Sequence, residues 1–381
     1  MASWLSLSAE CRGFELKSLR AKNNKVTMDA AANDPSSMAK SDLRKKKIVP
    51  PTPFETLYKA INDFFEYYPP IDRELLLSDL PKRWSVYPPL LLLPQTAFSS
   101  QDWKSYLDAL SPDNRILFYS KVASSLKGTH LALNAPIQST TIRSPHITPL
   151  YGDFGTTMDG PPTTTDFANA FWATTVQNGI KQTWAPLYAM FSRGNISEKT
   201  RVLSFPNVEN QEIADLYIGI GYFAFSYLKA GAKRVWGWDL NAWSVEGLRR
   251  GAEMNGWRCA VNELGGVSDA QMVVFNEDNV LAEKRLGEHG VKVRHVNLGL
   301  LPSSRGAWRV ATEILDEEGW VHVHGNCRDN EIESWTVSVI EEFRGLFGST
   351  WTVEMVDRFR VKEFSPAVGH WVLDVYARHN L

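Results

Sequence analysis

The sequence predicts an α/β protein: a doubly wound, mostly parallel sheet closed by a C-terminal antiparallel hairpin and preceded by a smaller α+β N-terminal domain. Three observations carry this. After Arg201, strand-length apolar runs alternate steadily with helical stretches, the pattern of parallel strands joined by right-handed crossovers. The last two extended runs, residues 350–362 and 370–378, have no helical stretch between them and meet through Ser365-Pro366, so they pair as a hairpin. Before the alternation, residues 51–152 mix short helical stretches with extended pieces around Pro69-Pro70 and Pro88-Pro89.

In chain order, residues 1–50 are rich in Ala, Ser, Asn and Lys and end in Arg44, Lys45, Lys46 and Lys47; such a segment is expected to be a disordered basic tail. Residues 51–200 form the N-terminal domain, with helices predicted over 54–67 and 103–110 and a Gly, Thr and Pro-rich loop over 151–166. Residues 201–381 form the sheet domain. Its first strand, 212–217, passes through a glycine turn into a helix over 222–230, closed by Gly231. A strand over 234–239 and a helix over 242–255 follow, closed by Gly256. Further strands are predicted over 271–276, 291–298 and 320–324, with helices over 307–315 and 332–347. The hairpin ending suits a class I methyltransferase-type, Rossmann-like sheet better than a plain dinucleotide fold.

Composition excludes several classes. The 381 residues are 44% apolar and 22% charged, values of a globular chain rather than a fibrous or disordered one. Apolar runs such as residues 90–93 fall far below the roughly 20 residues of a membrane helix, and Glu10 and Arg12 interrupt any secretory apolar stretch. Three cysteines without a CxxC pair, and eight scattered histidines, favour a reduced, metal-free, cytoplasmic protein. A net charge of -2 leaves nucleic-acid binding to a local surface.

The sharpest chemical signal is the run DLYIGIGYFA, Asp215 to Ala224, where a strand hands over to a helix. Gly219 and Gly221 let the backbone pass close under a ligand at the carboxyl edge of a parallel sheet. Asp239 follows Gly219 by 20 residues, where a carboxylate can accept both ribose hydroxyls. These features indicate an adenosine cofactor. NAD stays open on the motif alone, because GxGxxA is satisfied; the polar Asp215 and Tyr217, the Asp278-Asn279 pair and the terminal hairpin tilt toward S-adenosylmethionine. The stretch Met190 to Lys199, MFSRGNISEK, places Ser192, Arg193 and Lys199 just before the sheet. A lysine there can pair with a cofactor carboxylate, while on spacing alone a helix start with Asn195 as N-cap and Glu198 at N3 is the plainer reading. In VNLGLLPSS, Asn297 and Pro302 stand on a loop after a strand, with Asn297 able to hydrogen-bond a planar base. His322 and His324 alternate on one strand face; His324 is a candidate base, and a satisfied structural pair is the plainer reading.

FSRGNISEK, DLYIGIGYF, WGWDLN, EDN, VNLGLLPSS and HVHGN, in this order, resemble the tRNA wybutosine-synthesising aminocarboxypropyltransferases, relatives of the guanosine N1-methyltransferases acting 3′ of the anticodon. The resemblance covers roughly residues 80–378. It implies transfer of the 3-amino-3-carboxypropyl group of S-adenosylmethionine to carbon 7 of the tricyclic wyosine precursor in phenylalanine tRNA, with release of methylthioadenosine. It implies that Ser192 and Lys199 bind the cofactor, Asp239 its ribose, and Asp278 with Asn279 its adenosine end, around the Gly219 and Gly221 turn. Arg193, Asn297 and Pro302 are the candidate substrate contacts, Asn297 and His324 the catalytic candidates, and Lys181, Arg249 and Arg250 further phosphate contacts for the anticodon loop. The N-terminal domain would support the tRNA, and a monomer is expected. Asp239, Ala242 and Val280 replace the family's usual Glu, Pro and Arg. A guanosine N1-methyltransferase or a catalytically silent tRNA-binding protein are the competing readings.

Overall fold

The computed structural model describes residues 50–135, 145–158, 160–263 and 269–380. The expected basic tail therefore lies, except for Pro50, outside the described residues. From Pro51 onward the chain forms one compact unit.

The first elements are α1 (Pro53–Phe65), α2 (Arg73–Ser78), β1 (Ser85–Tyr87), β2 (Leu90–Pro94), α3 (Gln101–Ala109), α4 (Pro112–Ser125), β3 (His130–Ala135) and β4 (His146–Tyr151). Thr52 opens α1 with a capping box to Glu55. The strands make a four-stranded sheet in sequence order, antiparallel except for β2 and β3, with α3 and α4 supplying the crossover. Leu57, Ile61, Phe65, Trp103 and Phe118 fill the core beneath it. Helix α4 is absent from the sequence reading, because its apolar stripe is weak and only Phe118, Val122 and Ala123 are buried.

Next come α5 (Thr164–Asn169) and a two-stranded hairpin, β5 (Ala173–Gln177) and β6 (Ile180–Trp184). Its turn residues Asn178 and Gly179 both have positive φ, 52° and 69°, the backbone that Asn-Gly favours. Helix α6 (Ile196–Val202) then leads into the large sheet.

That sheet is built from β7 (Glu212–Asp215), β8 (Arg234–Trp238), β9 (Cys259–Val261), β10 (Met272–Phe275), β11 (Val293–Leu298), β12 (Leu315–Arg328), β13 (Trp351–Ser365) and β14 (Val368–His379). The intervening helices are α7 (Ala224–Lys229), α8 (Ala242–Met254), α9 (Ala282–Glu288), α10 (Trp308–Ile314) and α11 (Ile332–Phe347). The order is β13-β14-β12-β11-β7-β8-β10-β9. Strands β12 through β9 are parallel, while β14 and β13 are antiparallel, so the expected hairpin closes one edge. Strands buried on both faces read as unbroken apolar runs, as in the fully buried Met-Val-Val-Phe of β10. One face packs Trp236, Trp238 and Phe275 with α9, α10 and α11; the other packs Ile213, Val235 and Val274 with α6, α7 and α8. Two short elements escaped the sequence reading, β9 and α9, and β12 runs from Leu315 rather than 320. The added residues Asp316 and Glu317 are exposed and polar, which hid the strand start.

Candidate active site

Successive strands run to either side of β7, which makes the gap between β7 and β11 the switch point where such sheets bind ligands. The sequence-flagged residues gather at this carboxyl edge. Asp215 ends β7, and the chain crosses over Gly237 on its way to the glycine turn: a Cβ there would stand 2.1 Å from Ile218 Cδ1. Gly219 and Gly221 adopt φ of 53° and 82°. Gly219 N–H donates to Asp239 Oδ2 at 2.9 Å, and Asn241 N–H donates to Asp239 Oδ1 at 2.8 Å. Asp239 thus stands at the end of β8 with both oxygens oriented, half-buried, and each keeps a lone pair for a ribose hydroxyl. Burial raises its carboxyl to about 6, against the pull of these two N–H groups.

Asp278 and Asn279 follow β10. Asp278 is exposed and caps a short turn by accepting from Val280 N–H at 3.0 Å, while Asn279 Nδ2 donates to Leu216 O at 2.7 Å. Asn276 Nδ2 donates to Asp239 O at 2.8 Å, so the ends of β8 and β10 are tied together. Across the switch point, Asn297 on β11 pairs in register with Asp215 on β7. Both are buried, and Asp215 Oδ2 and Asn297 Nδ2 make no hydrogen bond of ordinary geometry. Burial raises the Asp215 carboxyl to about 7, against the Asn297 side chain and Tyr217 N–H. The two side chains face each other across the switch point, buried at the ligand edge of the sheet. Pro302 sits on the following loop, its carbonyl accepting from Asn326 N–H at 2.8 Å.

The segment before the sheet folds back onto this edge. A single 3-10 turn, Arg193–Asn195, precedes α6. Asn195 takes the N-cap position of α6 and Glu198 the third helical position, as the capping reading has it, but Asn195 makes no side-chain cap bond and Glu198 serves Arg201 instead, at 2.8 Å for both oxygens; the capping-box bonds are absent because the guanidinium takes the carboxylate. Lys199 is 3% exposed, donates to Gln182 Oε1 at 2.7 Å and to Gln177 Oε1 at 2.9 Å, and lies 4.7 Å from the Phe191 ring centroid. Burial lowers its amine to about 7. Lys362 Nζ of β13 reaches Ser192 Oγ at 3.4 Å, and Arg193 is exposed beside them.

The histidines lie deeper. In the register row Asp215, Asn297, His322, Asp374, His322 Nδ1 meets Asp374 Oδ1 at 2.7 Å and its Nε2 meets His295 Nδ1 at 3.0 Å. Arg201 bonds Asp374 as well. Burial pulls Asp374 upward, yet His322 and Arg201 together hold it well below the carboxylate range. His324 contacts His370 at 3.0 Å and is 1% exposed; burial keeps it neutral at physiological pH. Lys181, Arg249 and Arg250 are not brought to the cleft. Both arginines are held by Glu246, and Lys181 Nζ lies 3.5 Å from Met254 O at the far end of α8, about 20 Å from its start by helix rise. Residues missed by sequence reasoning are Gln177, Gln182, Arg201 and Asp374. Each acts across 17 residues or more and carries no local motif, although the Asn-Gly pair does mark the hairpin that presents the glutamines.

Sheet order, the glycine turn and the terminal hairpin together define a class I methyltransferase-type α/β fold with its ligand edge between β7 and β11. The TRM5/TYW2 methyltransferase domain family matches residues 174–343. The chain is 44% identical over 306 residues to tRNA wybutosine-synthesizing protein 2 of Schizosaccharomyces pombe, covering 78% of this chain and 72% of that one. It is 34% identical over 354 residues to the protein of the same name from Saccharomyces cerevisiae, covering 79% and 75%. The chain belongs to the tRNA wybutosine-synthesizing protein 2 family. Its fold is shared with the crystal structure of P. horikoshii TYW2 in complex with MeSAdo, at a TM-score of 0.60, 17% identity and coverage of 85% and 100%.

Proposed function

We infer that this protein transfers the 3-amino-3-carboxypropyl group of S-adenosylmethionine to carbon 7 of the tricyclic wyosine precursor in phenylalanine tRNA, leaving methylthioadenosine. The observation that carries this is its membership of the wybutosine-synthesizing family at 44% identity over most of its length. The donor set supports it: a ribose-height carboxylate and a buried ammonium suit an adenosine-bearing amino acid. When bound, S-adenosylmethionine supplies a sulfonium whose attached carbons are all open to attack, so orientation decides which group moves.

The chain's own residues then divide the work. Lys199, with Ser192, holds the amino-acid tail; Asp239 accepts from the ribose hydroxyls; Asp278 and Asn279 serve the adenosine end; the Gly219 and Gly221 turn admits the ligand. Asn297 hydrogen-bonds the acceptor base with Pro302 shaping its loop, and Arg193 contacts a phosphate of the anticodon loop. His324, kept neutral by burial and paired with His370, is read as a structural histidine rather than as the candidate base. Residues 51–200 support the tRNA and residues 201–381 hold most of the cofactor, while Ser192, Lys199 and the β5–β6 hairpin reach it from across that boundary. Among the described residues no helix is long and apolar enough to cross a membrane, and the protein is read as a cytoplasmic monomer. Incubating the protein with S-adenosylmethionine and precursor-bearing phenylalanine tRNA, and weighing the small-molecule by-product, tests the reading. Methylthioadenosine is expected; S-adenosylhomocysteine would make the protein a methyltransferase.

A further inference from the structure

Gln182 stands on β6, 2% exposed, facing the cofactor cleft from a hairpin outside the large sheet. Its Oε1 accepts from Lys199 Nζ at 2.7 Å, and its Nε2 donates to the Gly221 carbonyl at 3.3 Å. Chemistry fixes this orientation, because an ammonium only donates and a carbonyl only accepts. Gln177, on the paired strand, takes a second ammonium N–H at 2.9 Å. Of the three N–H groups of Lys199, one therefore remains. Among the described residues the surroundings hold no counter-charge: the Phe191 and Tyr222 rings lie 4.7 and 5.2 Å from Nζ. Glu198, the neighbour on α6, turns to Arg201, and Lys181 on β6 points to Met254 O. Burial is the sole cause that lowers the amine.

We propose that Gln182 is a positioning residue for the cofactor's amino-acid tail: its carboxamide couples the Lys199 ammonium to the glycine turn, so that the remaining N–H of Lys199 is aimed at the tail carboxylate. This rests on the reading of Lys199 as a tail ligand. A donor held on two sides needs no ordering when the carboxylate arrives, which favours binding. Coupling to Gly221 also sets the tail against the adenosine end, and hence the carbon presented to the acceptor.

The test compares affinities for S-adenosylmethionine and for methylthioadenosine, which lacks the tail, by calorimetry between pH 6 and 9. Gln182→Met is expected to weaken S-adenosylmethionine about tenfold while changing methylthioadenosine less than about twofold. Gln182→Glu sets a carboxylate beside Lys199, and the alkaline loss of S-adenosylmethionine affinity is expected to move up by about one pH unit. Should Gln182→Met not fold, that shift carries the test alone. Equal weakening of both ligands by Gln182→Met, or an unmoved pH profile in Gln182→Glu, would overturn the proposal. Lys199→Met separates the two layers. If it costs tail-selective affinity while Gln182→Met does not, positioning fails and the Lys199 role stands; if it costs none, the Lys199 role fails and takes the positioning with it.

Discussion

On the proposed reading Asp239 and Lys199 serve opposite ends of one ligand, and burial moves their ionisations toward each other. The carboxyl is raised to about 6 and the amine lowered to about 7. Below the first value Asp239 gains a proton and loses acceptor capacity for the ribose; above the second Lys199 loses the charge that attracts the tail. Affinity for S-adenosylmethionine is therefore expected to peak between about pH 6 and 7 and to fall on both sides, and titration calorimetry from pH 5 to 9 would refute this by a steady rise. Asp239→Ala should weaken binding at least about tenfold, as removal of charged hydrogen bonds does. Asn297→Ala should leave cofactor affinity within about threefold and lower turnover about tenfold or more, read as a split between kcat and KM. These residues were legible because each sits in a local motif, Asp239 and Asn297 near strand ends and Lys199 on the short helix before the sheet. Gln182, Arg201 and Asp374 were not: their roles come from partners brought together only by tertiary folding.

At the level of elements, the same contrast has a physical cause. Helix α11 was placed at its observed bounds, Ile332–Phe347, because its apolar stripe and Gly348 stop are local. Strand β9 has three residues beside a longer connection, too short for any periodicity. The Glu198, Arg201, Asp374 and His322 network pins α6 to β14 through the sheet edge. Arg201→Met leaves Glu198, 1% exposed, without its cation, and should cost about 3–5 kcal/mol, lowering the melting temperature by roughly 5 °C; an unchanged melt would contradict the network's role. At the hairpin turn Ala367 holds a φ of 61°, a left-handed conformation that glycine adopts without strain. Ala367→Gly should raise stability by about 0.5–1 kcal/mol in denaturant unfolding, and a loss would show the turn is not strained.

For the whole molecule, the alternating strands and the terminal hairpin identified the architecture, since parallel sheets need apolar strands and helical crossovers in sequence order. The proposed tail, ribose and base contacts come from three separate elements, α6, the end of β8 and β11. What no periodicity conveys is how the cofactor lies in that cleft, and its lie determines the product. The most direct measurement is mass spectrometry of both products after reaction with S-adenosylmethionine and phenylalanine tRNA bearing the tricyclic precursor. Methylthioadenosine, together with an aminocarboxypropyl mass gain on the tRNA, is the expected result. S-adenosylhomocysteine with a methyl gain would contradict the assigned transfer.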